Sequence, residues 1–331
     1  MFFELSYRQG YFLRRLWMSA ILCGIRICFA QQIPMPGIQL LDPARIFPAF
    51  GVWEDKTVVS GLYKSQMTSI DGGPVVKDIY MRTSLPRFKS AIAIHLDDHS
   101  SGLESTQGVS LQYARAWTTT KFGLSLGLKA GWKRFVFDGA LARTPEGNYT
   151  GGIDHQDPEV PLSDLSDNAF EAGVSMFVRT AFLDFGLGLD NIGGGKFVGN
   201  SKIYRVKNIL NFAIMKEWSM GNIGIVPYFI LYSDFIQFQE EILCRIRFGK
   251  NIFGELFARG IKRELFVFWG GTIGLAPTDN WQIFYRYETE MHQFGKKISG
   301  PGQEIGLRYE LPLIWGKGSG RGLIYNPRWS D

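Results

Sequence analysis

Alternation of apolar with small or polar residues at period two is the feature that most constrains this chain. In Phe122–Trp132 the even positions are Phe122, Leu124, Leu126, Leu128, Ala130 and Trp132, and the odd ones are Gly123, Ser125, Gly127, Lys129 and Gly131. Successive side chains of an extended strand point to opposite faces, so such a segment is a strand with one apolar and one polar face. The same reading sets Ala181, Leu183, Phe185, Leu187 and Leu189 against Thr180, Phe182, Asp184, Gly186, Gly188 and Asp190. It also sets Ile305, Leu307, Tyr309, Leu311 and Leu313 against Glu304, Gly306, Arg308 and Glu310. A content of 39 Gly, 26 Phe and 13 Tyr at a mean hydropathy of −0.04 fits an all-β chain whose apolar residues are interleaved rather than blocked.

A soluble antiparallel sheet would alternate in the same way, so connection lengths must discriminate. Strands are predicted near 57–65, 75–83, 88–97, 106–117, 119–132, 168–178, 180–190, 206–217, 222–232, 236–249, 252–260, 263–276, 281–288 and 302–310, about fourteen in all. The even-numbered connections are short, near 84–87, 118, 179, 218–221, 250–251 and 277–280. Among the odd-numbered ones, 66–74, 98–105, 133–167, 191–205 and 289–301 are longer, while those near 233–235 and 261–262 are short. Short periplasmic turns, longer external loops and apolar-out, polar-in strands describe a transmembrane antiparallel β-barrel of the outer membrane. Closure meets the demand of lipid that every backbone amide find an internal partner.

The N-terminus reads as an export address. Arg14 and Arg15 precede the apolar run Leu16–Ala30, and Cys28-Phe29-Ala30 fits a cleavage site before Gln31, making 1–30 a signal peptide. A short membrane anchor is the alternative, but Arg26 interrupts the run. Leu22 and Ile27 precede Cys23 and Cys28, where a lipidation site wants a small residue. Cleavage leaves Cys244 alone, so the mature chain has no internal disulfide. It also leaves 32 basic against 30 acidic residues, with no concentrated basic face of the kind nucleic acid requires. The organisation read from the sequence is a signal peptide over 1–30, an N-terminal lead-in segment over 31–56, a barrel over 57–315 and a flexible basic tail over 316–331. The glycine-rich run Gly316–Gly322 makes that tail either a periplasmic docking arm or a disordered end.

Candidate chemistry is sparse. His95-Leu96-Asp97-Asp98-His99 has metal-ligand residue types, but its two imidazoles lie too far apart in an extended chain to converge, and a solvated loop is the competing reading. Asp154, Asp157, Glu159, Asp164 and Asp167 could attract calcium or a protein partner, yet no twelve-residue calcium loop is present, which favours a solvated acidic loop. Gly193-Gly194-Gly195-Lys196 is followed by Phe197 where a phosphate loop needs Ser or Thr. No Gly-x-Ser-x-Gly turn occurs, and His95, His99, His155 and His292 all fall in or beside predicted loops. No catalytic, cofactor or metal residue is therefore assigned. Arg286, Glu288, Arg308 and Glu310 face the predicted lumen, either as cross-strand ion pairs that fill it or as the selectivity lining of a channel.

After the signal peptide stand Gln39, Asp42-Pro43 and Phe47-Pro48-Ala49-Phe50-Gly51. Tyr63-Lys64-Ser65-Gln66-Met67 and Asp71-Gly72-Gly73-Pro74 follow. These resemble the opening of the PorP/SprF family of type IX secretion membrane proteins of Bacteroidota, whose pattern runs Q-x-x-x-N-P-x-x-x-N-P-A-x-x-G, then Y-R-x-Q-W and G-x-P. Asp42 and Phe47 replace the two asparagines, Lys64 replaces arginine, Met67 replaces tryptophan, and one residue is missing before Gly51. The resemblance implies a non-enzymatic barrel of the secretion and gliding machinery that aids export or surface attachment of adhesin-like proteins. Its implied partners are outer-membrane lipid, a secreted or surface-attached protein and periplasmic secretion components. Two other classes stay open beside it, a porin-like channel and a membrane hydrolase. The prolines and glycines of Pro43–Gly51 and Tyr63–Pro74 are read either as shaping the first strand and its turn or as partner contacts.

Overall fold

The computed structural model describes residues 42–158, 160–193, 196–198, 203–205, 207–261, 264–291 and 300–313. The signal-peptide segment 1–30 and the tail 316–331 lie outside the described residues. The chain forms a closed transmembrane antiparallel barrel of fourteen strands. The first seven are β1 Thr57–Ser65, β2 Val75–Leu85, β3 Ser90–Ser101, β4 Glu104–Thr118, β5 Phe122–Phe137, β6 Leu165–Thr180 and β7 Asp184–Asp190. β8 runs Ile209–Met215 and resumes as Trp218–Met220 against the same neighbour. β9 Ile223–Ser233, β10 Phe238–Phe248, β11 Ile252–Ile261, β12 Glu264–Thr278, β13 Trp281–Glu290 and β14 Gly302–Leu311 complete the wall. Each strand pairs with its sequence neighbours, and β1 closes on β14 from Thr57↔Leu311 to Ser65↔Gln303. The β1–β14 pairing closes the sheet on itself, as lipid requires of a spanning backbone. None of the described helices is long and apolar enough to cross a membrane.

The two faces separate as the alternation demands. On β5, Leu128 is 58% exposed and Trp132 53%, while Ser125 on the opposite face is 0% exposed. The outer row meets hydrocarbon and the inner row lines the lumen. Leu128→Arg is expected to cost about 2–4 kcal/mol of barrel stability, because it puts a cation in the lipid-facing row; urea unfolding from phospholipid vesicles would measure it.

One end carries the short connections 86–89, 119–121, 181–183, 221–222, 249–251 and 279–280. Among the described residues the other carries 66–74, 102–103, 138–158, 160–164, 191–193, 207–208, 234–237, 291 and 300–301. Several boundaries differ from expectation, β5 running on to Phe137 and Trp218–Met220 pairing where a turn is predicted, and two of the differences have local reasons. The turn before β7 takes in Ala181–Leu183, because the Thr180 hydroxyl accepts from the amides of Phe182 at 3.3 Å and Leu183 at 3.0 Å. β3 runs to Ser101 and turns tightly through Gly102, whose φ is +59°. The predicted loop 98–105 is thereby reduced to residues 102–103, and His99 joins His95 and Asp97 on the strand.

Candidate functional site

Residues 42–56 occupy the lumen before β1 begins. Two short 3-10 turns, Pro43–Arg45 and Pro48–Trp53, each start with proline, whose fixed φ suits a first helical position and whose missing N–H costs nothing there. Asp42 Oδ1 caps the first by accepting from the Ala44 amide at 3.2 Å. Every residue from Asp42 to Trp53 is buried. A strand wall whose large apolar residues face lipid offers this plug small ones instead. A Cβ on Gly127 would overlap the Ala49 amide nitrogen and lie 2.8 Å from the Pro48 carbonyl carbon. A Cβ on Gly123 would overlap the Trp53 indole. Glycine at these positions lets backbone and ring approach the wall.

Hydroxyls and rings complete the seat. Ser175 Oγ accepts from the Ala49 amide at 3.0 Å, and Ser125 Oγ donates to the Ala49 carbonyl at 2.7 Å. Trp53 Nε1 donates to Ser125 Oγ at 2.8 Å. Phe50 meets Phe177 edge-on at 5.1 Å between centroids.

Charges latch both ends of the segment. Arg82, fully buried on β2, donates from Nε to Asp42 Oδ2 at 2.8 Å and pairs through Nη2 with Glu54. Glu54 also takes Arg308 Nη2 at 3.1 Å, and Arg308 contacts Glu310 at 2.9 Å. Burial would raise the Glu54 carboxyl, but the Arg82 and Arg308 guanidiniums outweigh it and hold it down at about 2. Arg45 pairs with Asp78, donates to Ser60 Oγ at 2.7 Å and stands 5.0 Å from the Tyr80 ring centre.

Toward the long-loop end, side chains of the wall itself form a lattice across the lumen. Glu288 takes Lys64 at 3.1 Å, Arg259 at 3.3 Å and Gln66 Nε2 at 2.5 Å. Glu241 takes Arg259 at 2.9 Å and Arg286 at 2.8 Å, and Arg286 stacks on Phe257. Arg286, Glu288, Arg308 and Glu310 are thus buried in the lumen, where Arg286 pairs with Glu241, Glu288 with Lys64 and Arg259, Arg308 with Glu310 and the plug's Glu54, and Glu310 with Lys56 at 2.5 Å.

The family-like residues fall in three places. Asp42, Pro43, Pro48, Ala49 and Gly51 are the plug; Lys64 and Gln66 hold the upper lattice; Gly72, Gly73 and Pro74 shape the β1–β2 connection. In that connection the Gln66 amide donates to Pro74 O at 2.8 Å, and a Cβ on Gly73 would lie 2.6 Å from Gln66 O. Tyr63 faces lipid. Arg45, Arg82 and Ser175, which carry the seat and latch, have no counterpart among the residues singled out in the sequence, and Ser125 is read there only as a polar-face residue of its strand.

The remaining candidates have structural partners. His95 Nε2 lies 2.5 Å from Asp78 Oδ2, and His99 Nε2 lies 3.7 Å from Asp97 Oδ2. His155 is buried inside connection 138–164, with Nδ1 at 3.1 Å from the Tyr149 hydroxyl and Nε2 at 3.0 Å from Gly139 O. Asp154 accepts from the Gln156 amide at 2.9 Å. Among the described residues no three His, Cys, Asp or Glu groups converge on a metal position. Gly194, Gly195, His292 and Glu159 lie outside the described residues.

Comparison with solved structures returns outer-membrane barrels at low identity. The Acinetobacter baumannii outer membrane protein Omp33 is 8% identical with a TM-score of 0.45, covering 78% of this chain and 99% of that one. The Ralstonia pickettii toluene transporter TbuX is 10% identical with a TM-score of 0.48, covering 84% and 94%. The CymD monoaromatic hydrocarbon channel is 10% identical with a TM-score of 0.47, covering 83% and 92%. No curated protein matches the chain. The plug, its latch and the β1–β2 turn all lie within residues 43–309 or abut them at Asp42; that span matches the family model for the type IX secretion system membrane protein PorP/SprF, and the chain belongs to the PorP/SprF family.

Proposed function

We propose that this outer-membrane barrel is a non-enzymatic docking component of the type IX secretion and gliding machinery, aiding export or surface attachment of adhesin-like proteins. The observation that carries the reading is the plug: the family's own opening motif is buried in the lumen and latched at Asp42 and Glu54. A barrel occupied in this way works as a platform rather than a conduit. With its short turns toward the periplasm, the described residues of the long connection 138–164 face outward and can hold a secreted protein. An exported chain with a cleaved signal over 1–30 places periplasmic secretion components at the opposite end.

Deleting the gene is expected to strand a specific set of surface proteins inside the cell, read by surface proteomics against whole-cell abundance. Affinity purification of the tagged barrel from outer membranes is expected to bring one of those proteins along. Unchanged surface display in the deletion strain would overturn the proposal. Solute-dependent conductance of the unaltered barrel in planar bilayers would replace it with a channel.

A further inference from the structure

One sector of the short-turn end gathers cations with no counter-charge on their own hairpins; Asp55, on the lumen side of β2, accepts from Ser84 Oγ at 3.3 Å. Arg87 and Lys89 lie in the β2–β3 turn, Arg115 near the end of β4 and Lys121 in the β4–β5 turn, all exposed. Neither 84–96 nor 109–136 contains an aspartate or glutamate. Among the described residues none of the four is seen paired with a carboxylate. Farther round the same end the charges are offset, with Arg247 paired to Glu217 and Asp279 in the β12–β13 turn.

Large aromatic side chains share the sector: Phe88 is 65% exposed, Trp117 48% and Phe122 47%. Depth comes from the strand register. Arg115 and Trp117 continue the outward row of β4 that includes Val109, Leu111 and Tyr113, and the Arg115 guanidinium stands 5.9 Å from the Trp117 ring centre. The Ala116 amide donates to Lys89 O at 2.9 Å, so the β2–β3 turn is tied to this row. Outward-facing aromatics and cations at the end of a lipid-facing row belong at headgroup level.

We infer that this sector binds an anionic glycerophospholipid, its phosphate held by Arg87, Lys89 and Arg115 and its chains against the outer rows of β3 and β4. A protein below the membrane would meet the turn tips but not Arg115, which faces the bilayer. With the short turns toward the periplasm, as proposed above, the sector lies in the phospholipid leaflet. The inference does not depend on the secretion role.

The test exposes the full-length protein in mild detergent to equimolar phosphatidylglycerol and phosphatidylethanolamine and reads retained lipid by native mass spectrometry. Phosphatidylglycerol is expected in about tenfold excess. The triple variant Arg87→Gln, Lys89→Gln, Arg115→Gln is expected to bring the ratio to parity, and Lys250→Gln in the offset sector to leave it unchanged. Barrel integrity is checked by heat-shifted gel mobility, and if the triple variant does not fold, Arg115→Gln alone is expected to lower the ratio. Equal retention of the two lipids by the unaltered protein would overturn the inference. So would an unchanged preference in the folded variants, or loss of a bound acidic protein while the lipid ratio stays put.

Discussion

Gly127→Trp is expected to raise planar-bilayer conductance by about tenfold over the unaltered protein, the size of change that follows when an obstructed barrel of this girth gains an aqueous path. The cause lies in the seat. A side chain at 127 would run into the Ala49 amide, the Pro48 carbonyl carbon and Ser175 Oγ, so wall and plug cannot both keep their places. The wall is the stiffer party, since Gly127 is paired on both sides, with Ala114 on β4 and Ser175 on β6. The plug, held by the Ser125 and Ser175 hydroxyls, the latch and the burial of Phe47, Phe50, Val52 and Trp53, has to give way. Leu128→Trp, one residue along on the lipid face, is the control for a bulky change and should leave conductance at baseline. A silent Gly127→Trp barrel whose plug has become protease-sensitive would show that the Glu241–Glu288 lattice closes the lumen on its own.

The strands were legible because a strand in lipid must write its environment at period two, and the alternation of short and long connections then distinguished a barrel from a soluble sheet. Phe122–Trp132 states both its faces in eleven consecutive residues. The plug was not legible for the opposite reason. Residues 42–56 make no strand and no long helix, so they carry no period, and Phe47, Phe50 and Trp53 looked like an irregular approach to β1. A signal existed elsewhere: Gly123 and Gly127 on the polar face of β5 leave a hollow that something must fill. The ion lattice shows a second limit. Alternation puts Arg286 and Glu288 in the lumen, but their links to Glu241 on β10 and Lys64 on β1 come from closing the barrel. Local register only identifies the residue opposite on the next strand, which for Arg286 is Glu304. His99 shifted for a simpler cause, since continued pairing, with His99 opposite Thr106, carried β3 past the predicted end at 97; His95 already lay inside the predicted strand.

Arg82→Met is expected to weaken plug docking by about 3–5 kcal/mol, the cost of removing one member of a buried ion pair and leaving its partner charged. Asp42 and Arg82 both have fully buried side chains, and with the guanidinium gone Oδ2 loses its donor while Oδ1 keeps the Ala44 amide. Glu54 suffers less, because it retains Arg308 at 3.1 Å and is partly open to solvent. The orphaned Asp42 carboxylate therefore dominates the effect. Since β2 keeps its ladder to β1 and β3, the loss should appear as release of residues 42–56 rather than as unfolding. Limited proteolysis of the reconstituted protein would show it as cleavage inside that segment, with heat-shifted gel mobility unchanged. Asp42→Asn alone leaves Arg82 paired with Glu54 and should cost about 1–3 kcal/mol. Combining it with Arg82→Met removes the stranded charge and should recover most of the docking, a non-additivity that a purely steric effect of the Arg82→Met change would not produce. If the single and double variants were cleaved at the same rate, the latch would have to be assigned to the Glu54–Arg308 pair instead.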